Sequence, residues 1–253
     1  MISISSPGFC MTPFNEMFKA ITPHFDSWEI IAEGMHSMSK IQEDIRNIKD
    51  SYNIKFTVHA PFSDLNIASL NPLIRKNSID QIVEAIRIST ELDITLLTMH
   101  PGYKSPLGAY FLDKIIETNK KSLLELDKAG EEYGATLALE NIPYMWISLC
   151  SSADEMRALI EGTNLKICFD IGHAHISNAT KGFLDLKEKI VNLHLHDNHG
   201  DKDRHLILGD GNIPIVDILG EFRGYNGIFV IESVGLEQGI KSKAVLSEML
   251  KSL

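Results

Sequence analysis

Thr136-Leu137-Ala138-Leu139-Glu140 is apolar from its second residue until it stops on a carboxylate. A short apolar run of this kind fits a strand covered on both faces, as in a parallel sheet. The next such run, Lys166-Ile167-Cys168-Phe169-Asp170, ends the same way. Working outward, β-rich runs cover 2–6, 28–32, 55–59 and 95–100 upstream, and 191–196 and 228–232 downstream. Segments with helical spacing lie between them. Segment 71–92 carries Pro72 in its first turn and Ile79, Ile82, Val83, Ile86 and Ile88 on one broad face. Segment 112–133 carries Ile115, Ile116, Leu123, Leu124 and Leu126, and Gly134 supplies a stop. Segment 154–161 ends before Gly162, and 241–253 closes the chain with Val245, Leu246, Met249 and Leu250. Eight β/α alternations without a long linker predict a single (β/α)8 barrel domain over 1–253. The alternative is an open doubly wound sheet. That fold usually has fewer strands, and no G-x-G-x-x-G follows the first strand here.

Composition narrows the class. The 253 residues are 44% hydrophobic and 23% charged, which excludes a disordered chain, a collagen-like repeat and a disulfide scaffold. Against 24 basic residues stand 34 acidic ones, a formal charge of −10, with no basic run. That balance argues against a general nucleic-acid or acidic-membrane binder. Cys10, Cys150 and Cys168 are scattered and form no C-x-x-C, so reduced thiols in a cytoplasmic protein are expected. The first residues, Met1-Ile2-Ser3-Ile4-Ser5-Ser6-Pro7, show no secretory signal. No run approaches the ~18 apolar residues of a membrane span.

The strand ends carry the chemistry. From the third run onward they are His59, His100, Glu140, Asp170, the His194/His196 pair and Glu232. In a parallel barrel these termini converge on one mouth, where barrel active sites lie. A single histidine there reads as a structural hydrogen-bonding residue, and a single carboxylate as a helix cap. Six in succession read as metal ligands or acid–base groups. Asp203 and His205 lie two apart, so an extended loop points both the same way. His173 follows Asp170 by one turn. His199 and Asp201 read as solvated loop residues, and Gly209-Asp210-Gly211 as a tight turn.

These stretches resemble the xylose isomerase-like TIM barrels, which include endonuclease IV and sugar-phosphate isomerases and epimerases. The resemblance rests on His59-Ala60-Pro61-Phe62, Asn66-Ile67-Ala68-Ser69, His100-Pro101-Gly102, Leu139-Glu140-Asn141 and Phe169-Asp170-Ile171-Gly172-His173. It continues through His194 to Asp197, Asp203-Arg204-His205 and Leu208-Gly209-Asp210-Gly211. Endonuclease IV holds three zinc ions with nine ligands, and residues of the right type stand at all nine positions. The resemblance implies that His59, His100 and Glu140 hold one ion. Glu140 would bridge to a second held by Asp170, His194 and Glu232, and His173, Asp203 and His205 would hold a third. Two or three Zn²⁺ or Mn²⁺ are therefore expected, and three would bring the charge of −10 to −4.

Two departures set the expected substrate. The DNA-penetrating loop after the second strand of endonuclease IV is basic and aromatic. Here Ala32-Glu33-Gly34-Met35-His36-Ser37-Met38 holds no arginine, phenylalanine, tyrosine or tryptophan, and Phe62 stands where that family has tyrosine. DNA affinity rests on phosphate neutralisation, so duplex DNA is not the expected substrate. The expected function is a metal-dependent isomerase or epimerase of a small sugar or sugar phosphate, with Glu140 and Glu232 as catalytic carboxylates. The alternatives are an endonuclease IV-like phosphoester hydrolase and a non-enzymatic metal-binding module. Phe62, Tyr103, Tyr144 and Trp146 are candidate pocket residues; Lys104, Lys202 and Arg204 are candidate phosphate contacts.

Overall fold

The computed structural model describes residues 1–48 and 52–253. Among these, eight parallel strands close into a barrel in sequence order. They are β1 (Ile2–Ser5), β2 (Ser27–Ile31), β3 (Lys55–His59), β4 (Leu96–Met99), β5 (Thr136–Glu140), β6 (Lys166–Asp170), β7 (Ile190–Leu195) and β8 (Ile228–Glu232). The expected (β/α)8 architecture is thus present, and β8 pairs with β1 to close the ring.

Helices α1 (Phe14–Ile21), α2 (Met38–Ile48), α3 (Pro72–Glu91), α4 (Leu112–Tyr133), α5 (Ala153–Ile160), α6 (Ile171–Ile176), α7 (Thr180–Leu184), α8 (Ile215–Gly220) and α9 (Leu236–Lys251) surround the barrel. Their limits follow local chemistry. Asn71 caps α3 by accepting from Leu73 N, with Pro72 in the first turn. Gly134 ends α4 at φ 76°, in the left-handed region. Ser152 and Glu155 close a capping box on α5. Helix α9 begins five residues before the expected 241, because Gly239 hides its first turns from a periodicity reading. That glycine is fixed by packing: a Cβ there would lie 2.4 Å from Ile4 Cδ1. None of the helices is long and apolar enough to cross a membrane, among the described residues.

Strand register sets the level of the mouth residues. Asp170 pairs with His194, Glu140 with Cys168, Ser5 with Glu232, and Ile31 with His59. Side chains alternate along a strand, so the residues two positions before Ile31, His59, His100 and His194 also face the barrel interior. One layer below the mouth this places Glu29, Thr57, Thr98 and Asn192, which are buried and hydrogen-bonded to one another. The barrel centre is therefore polar, and the apolar core lies between the sheet and its helices.

A candidate metal centre at the barrel mouth

Glu140 ends β5 and is 1% exposed. His59 Nε2 lies 3.1 Å and His100 Nε2 3.2 Å from its Oε2. Its other oxygen faces His194 Nδ1 at 3.4 Å and His173 Nδ1 at 3.5 Å. His194 Nδ1 is in turn 3.0 Å from Glu232 Oε1. On the far side His173 Nε2 is 3.3 Å and His205 Nε2 3.1 Å from Asp203 Oδ2. Potential ligand atoms of histidines and carboxylates gather in three sets, each within 4.8 Å: His59, His100 and Glu140; Glu140, Asp170, His194 and Glu232, sharing Glu140 with the first; and His173, His196, Asp203 and His205. Every residue expected as a ligand falls in one of these sets. Glu140, Cys168 and His194 form a further group, in which burial pushes the thiol pKa up.

His196 is the addition. It is fully buried, with its Nε2 3.3 Å from Asp170 Oδ1 and 3.3 Å from Asp203 Oδ1. Its ring stacks on His205 at 4.2 Å between centroids. The signal was in the sequence: His196 stands two residues after His194 and so shares its face. Gly172 makes room for the ring, since a Cβ at that position would lie 2.0 Å from His196 Cε1.

The loop carrying Asp203 and His205 is organised by Asp197, a carboxylate the sequence left without a role. Asp197 is buried and accepts from the backbone N–H groups of Asn198, Gly209, Gly211 and Ile213. Gly211 is required there because a Cβ would lie 2.2 Å from Asp197 Oδ1. His205 itself adopts φ 46°, an uncommon conformation, next to the antiparallel bridge between Asp197 and Leu206.

Several polar atoms of the cluster are buried with no hydrogen-bond partner: Asp170 Oδ2, His194 Nδ1, both ring nitrogens of His196, and His205 Nδ1. Buried polar atoms in folded proteins usually find a partner; the other orphans here are mostly hydroxyls scattered outside the donor sets, whereas these converge on one place. Imidazole nitrogens and carboxylate oxygens that converge without protons to share are what a borderline divalent cation needs. The donor set therefore fits such an ion. Imidazole orientation supports the fit. His59 Nδ1 lies 2.8 Å from Ala60 O and His173 Nδ1 2.8 Å from Asn141 O. A carbonyl only accepts, so each Nδ1 carries the proton and each Nε2 is free to face the cluster.

Without a cation, protons take that place. Burial works against charge at Glu140, yet His194 and His100 hold its carboxyl well below the usual range. Glu232 is held at about 2 by His194 and His205 in spite of its burial. Burial disfavours the His205 imidazolium, but Asp203 and Glu232 push its pKa up to about 9. A divalent ion would displace such protons.

Above the cluster opens a cavity of about 480 Å³. Phe62 lines it, 4.5 Å from the His100 ring and 4.9 Å from the His59 ring. Glu33 Oε1 fixes this position by accepting from Phe62 N and Ser63 N at 2.6 Å each. Tyr103 also lines the cavity, with Met145, Ile147 and Leu149. Tyr144 and Trp146 stand outside it, 70% and 64% exposed. Lys202 and Arg204 are exposed and lie outside it too, Arg204 being paired with Asp201. Lys104 is half-buried and is not part of the wall. Among the described residues no lysine or arginine lines the cavity. His199 is exposed, as expected of a solvated loop.

The family model for xylose isomerase-like TIM barrels matches residues 18–252. The chain belongs to this family. It is 35% identical to an uncharacterized protein of Methanocaldococcus jannaschii over 98% of this chain and 88% of that one. It superposes on a D-tagatose 3-epimerase-like protein with a TM-score of 0.91 and 32% identity, covering 99% of this chain and 97% of that one. Endonuclease IV from Thermus thermophilus shares the barrel at a TM-score of 0.75 and 18% identity, covering 100% of this chain and 99% of that one. Within this shared xylose isomerase-like frame, segment 32–38 is no protruding arm. It folds into a short turn, Gly34–His36, whose His36 is buried against Phe14 and Trp28 and bonded to Thr12 O.

Proposed function

We propose that the protein is a divalent-metal-dependent isomerase or epimerase acting on a small uncharged sugar. The observation that carries this is a pair of carboxylates, Glu140 and Glu232, flanking His194 Nδ1 beneath a cavity that no lysine or arginine among the described residues lines. A divalent cation, Zn²⁺ or Mn²⁺, held by Glu140, Asp170, His194 and Glu232 would polarise a carbonyl and its neighbouring hydroxyl. Glu140 and Glu232 then exchange protons with opposite faces of the carbon beside that carbonyl. Glu140 is tied down by four imidazoles, whereas Glu232 contacts only His194 and His205. Glu232 is therefore the freer base. Phe62 and the apolar wall around it exclude water from the reacting carbon. A phosphorylated substrate would need a counter-charge that Lys202 and Arg204 do not bring to the wall. Likeness to the D-tagatose 3-epimerase-like protein supports the sugar reading.

A second reading, phosphoester hydrolysis of the endonuclease IV kind, is favoured by the set of His173, His196, Asp203 and His205. A one-ion isomerase has no use for a third donor set. The test is metal-loaded protein with a panel of ketohexoses in D2O, followed by NMR. Deuterium at the carbon beside the carbonyl together with epimer formation is expected, and both are lost in Glu140→Gln and Glu232→Gln. Nicking of abasic duplex DNA that Glu140→Gln abolishes, with every sugar inert, would overturn the isomerase reading.

A further inference from the structure

Glu29 lies in the middle of β2, fully buried, on the barrel axis beneath the mouth. It is separate from the three donor sets. Asn192 Nδ2 donates to its Oε2 at 2.7 Å, and the hydroxyls of Thr57 and Thr98 approach the same oxygen at 3.3 Å and 3.4 Å. Its other oxygen, Oε1, lies 2.8 Å from His194 Nε2. One carboxylate oxygen is thus held by a neutral clamp from three strands. The other makes a close ionic contact with the His194 imidazole rather than an aligned hydrogen bond, and Asn192 Nδ2 also approaches that ring nitrogen at 3.2 Å.

His194 differs from the other cluster histidines in this respect. His59 and His173 rest their second nitrogen on main-chain carbonyls. His194 rests its second nitrogen on a carboxylate, and the ring is turned the other way, with Nδ1 toward Glu140 and Glu232. A carboxylate only accepts and an amide N–H only donates. Glu29 Oε1 is the nearer of the two to Nε2, at 2.8 Å against 3.2 Å for Asn192 Nδ2, so it favours the proton on Nε2 and leaves the Nδ1 lone pair facing the mouth. A carboxylate behind an imidazole also makes the ring a stronger donor than a carbonyl does.

We propose that Glu29 is a positioning residue for the metal centre: it fixes the tautomer and the ring angle of His194, and so selectively strengthens the set of Glu140, Asp170, His194 and Glu232. The role rests on the metal-dependent reading of the site. Clamping by Thr57, Thr98 and Asn192 holds the carboxylate still, so that its orientation passes to the ring. The set of His173, His196, Asp203 and His205 has no contact with Glu29 and is outside its reach.

The experiment compares wild type, Glu29→Gln, Glu29→Ala and Thr57→Val. Zinc content and affinity are measured by competition with a chromophoric chelator, folding by circular dichroism, and imidazole protons by 15N-resolved NMR with and without zinc. Glu29→Ala should weaken one zinc by about 10- to 100-fold and leave the others at wild-type affinity. Glu29→Gln, whose amide oxygen still accepts, should fall between, and Thr57→Val, which removes one of the three clamping groups, should weaken the same zinc less than Glu29→Ala does. A downfield His194 Nε2 proton should be present in wild type in both zinc states, move upfield in Glu29→Gln and be lost in Glu29→Ala. A folded Glu29→Gln with wild-type zinc affinity and an unmoved proton resonance would overturn the role. Lower thermal stability with unchanged affinity would reduce Glu29 to a structural residue and would overturn it equally. Wild type that takes up no zinc would overturn the metal reading itself, while the His194 resonance still decides whether Glu29 sets the ring.

Discussion

Glu140→Ala is the most informative perturbation, because Glu140 contributes to two of the three donor sets. The first set would be left with two histidines, and the second would lose the oxygen that faces His194 Nδ1 at 3.4 Å. The set of His173, His196, Asp203 and His205 would keep all its donors. Each bound ion stabilises the folded chain by about 2.7 kcal/mol when free metal is a hundredfold above its dissociation constant. Three ions would contribute about 8 kcal/mol on that scale, and one ion about a third of it. The expected result is a fall from two or three zinc per chain to about one. The rise in Tm on adding zinc should shrink to roughly a third of the wild-type rise if three ions bind, or a half if two bind. Elemental analysis of protein never exposed to chelator gives the count, and scanning calorimetry with and without zinc gives the shift. Full zinc content or an unchanged Tm rise in the variant would refute Glu140 as a shared ligand.

Further outcomes follow from the same geometry. Asp203→Ala combined with His205→Ala should remove about one zinc and leave the circular dichroism spectrum unchanged, since both residues sit on a mouth loop; His199→Ala, on an exposed residue, should retain full zinc content. Gly172→Ala should also cost about one zinc, because its Cβ would meet the His196 ring at 2.0 Å; an unchanged count would mean that His196 is no ligand. Asp197→Ala should lower stability by about 1–3 kcal/mol and loosen the 203–205 loop, because four buried or half-buried N–H groups lose their acceptor; chemical denaturation and proteolysis at that loop check it. Metal-loaded wild type should nick abasic duplex DNA weakly or not at all even at low salt, where electrostatic binding is strongest.

The barrel was legible because its strands obey one simple pattern. Runs such as 136–140 and 166–170 are apolar until a single polar residue that cannot be buried in a sheet–helix interface, so the chemistry stands out against the run that delivers it. Helix limits were legible where Gly134 or the Asn71-Pro72 pair marked them, and were lost in α9, where Gly239 interrupts the periodicity. Glu29 was not legible. In Trp28-Glu29-Ile30-Ile31 a carboxylate amid apolar neighbours reads as the solvent-facing member of an alternating strand. Only closure of the barrel turns that face inward. Asp197 was hidden for a related reason: its partners are backbone N–H groups of residues 198 to 213, and backbone donors carry no sequence signature. Lys202 and Arg204 show the opposite error of emphasis. Their charge suggested a ligand, but Asp201 lies one turn away and engages Arg204.

The location of the donors explains how one chain can carry so much buried charge and still fold. Glu29, Glu140, Asp170 and Glu232 are each less than a tenth exposed, and burying a lone carboxylate is strongly unfavourable. Each, however, faces the barrel axis, with an imidazole 2.8 to 3.3 Å away. Meanwhile Ile30, Leu139, Phe169 and Ile231 on the same strands face outward into an apolar core. Alternation thus separates two tasks within one sheet. The outer face and its helices supply the hydrophobic stabilisation, while the inner face holds an ionic column whose upper end opens to the cavity. Substitutions on the inner face can therefore change what the site binds without removing what holds the barrel together.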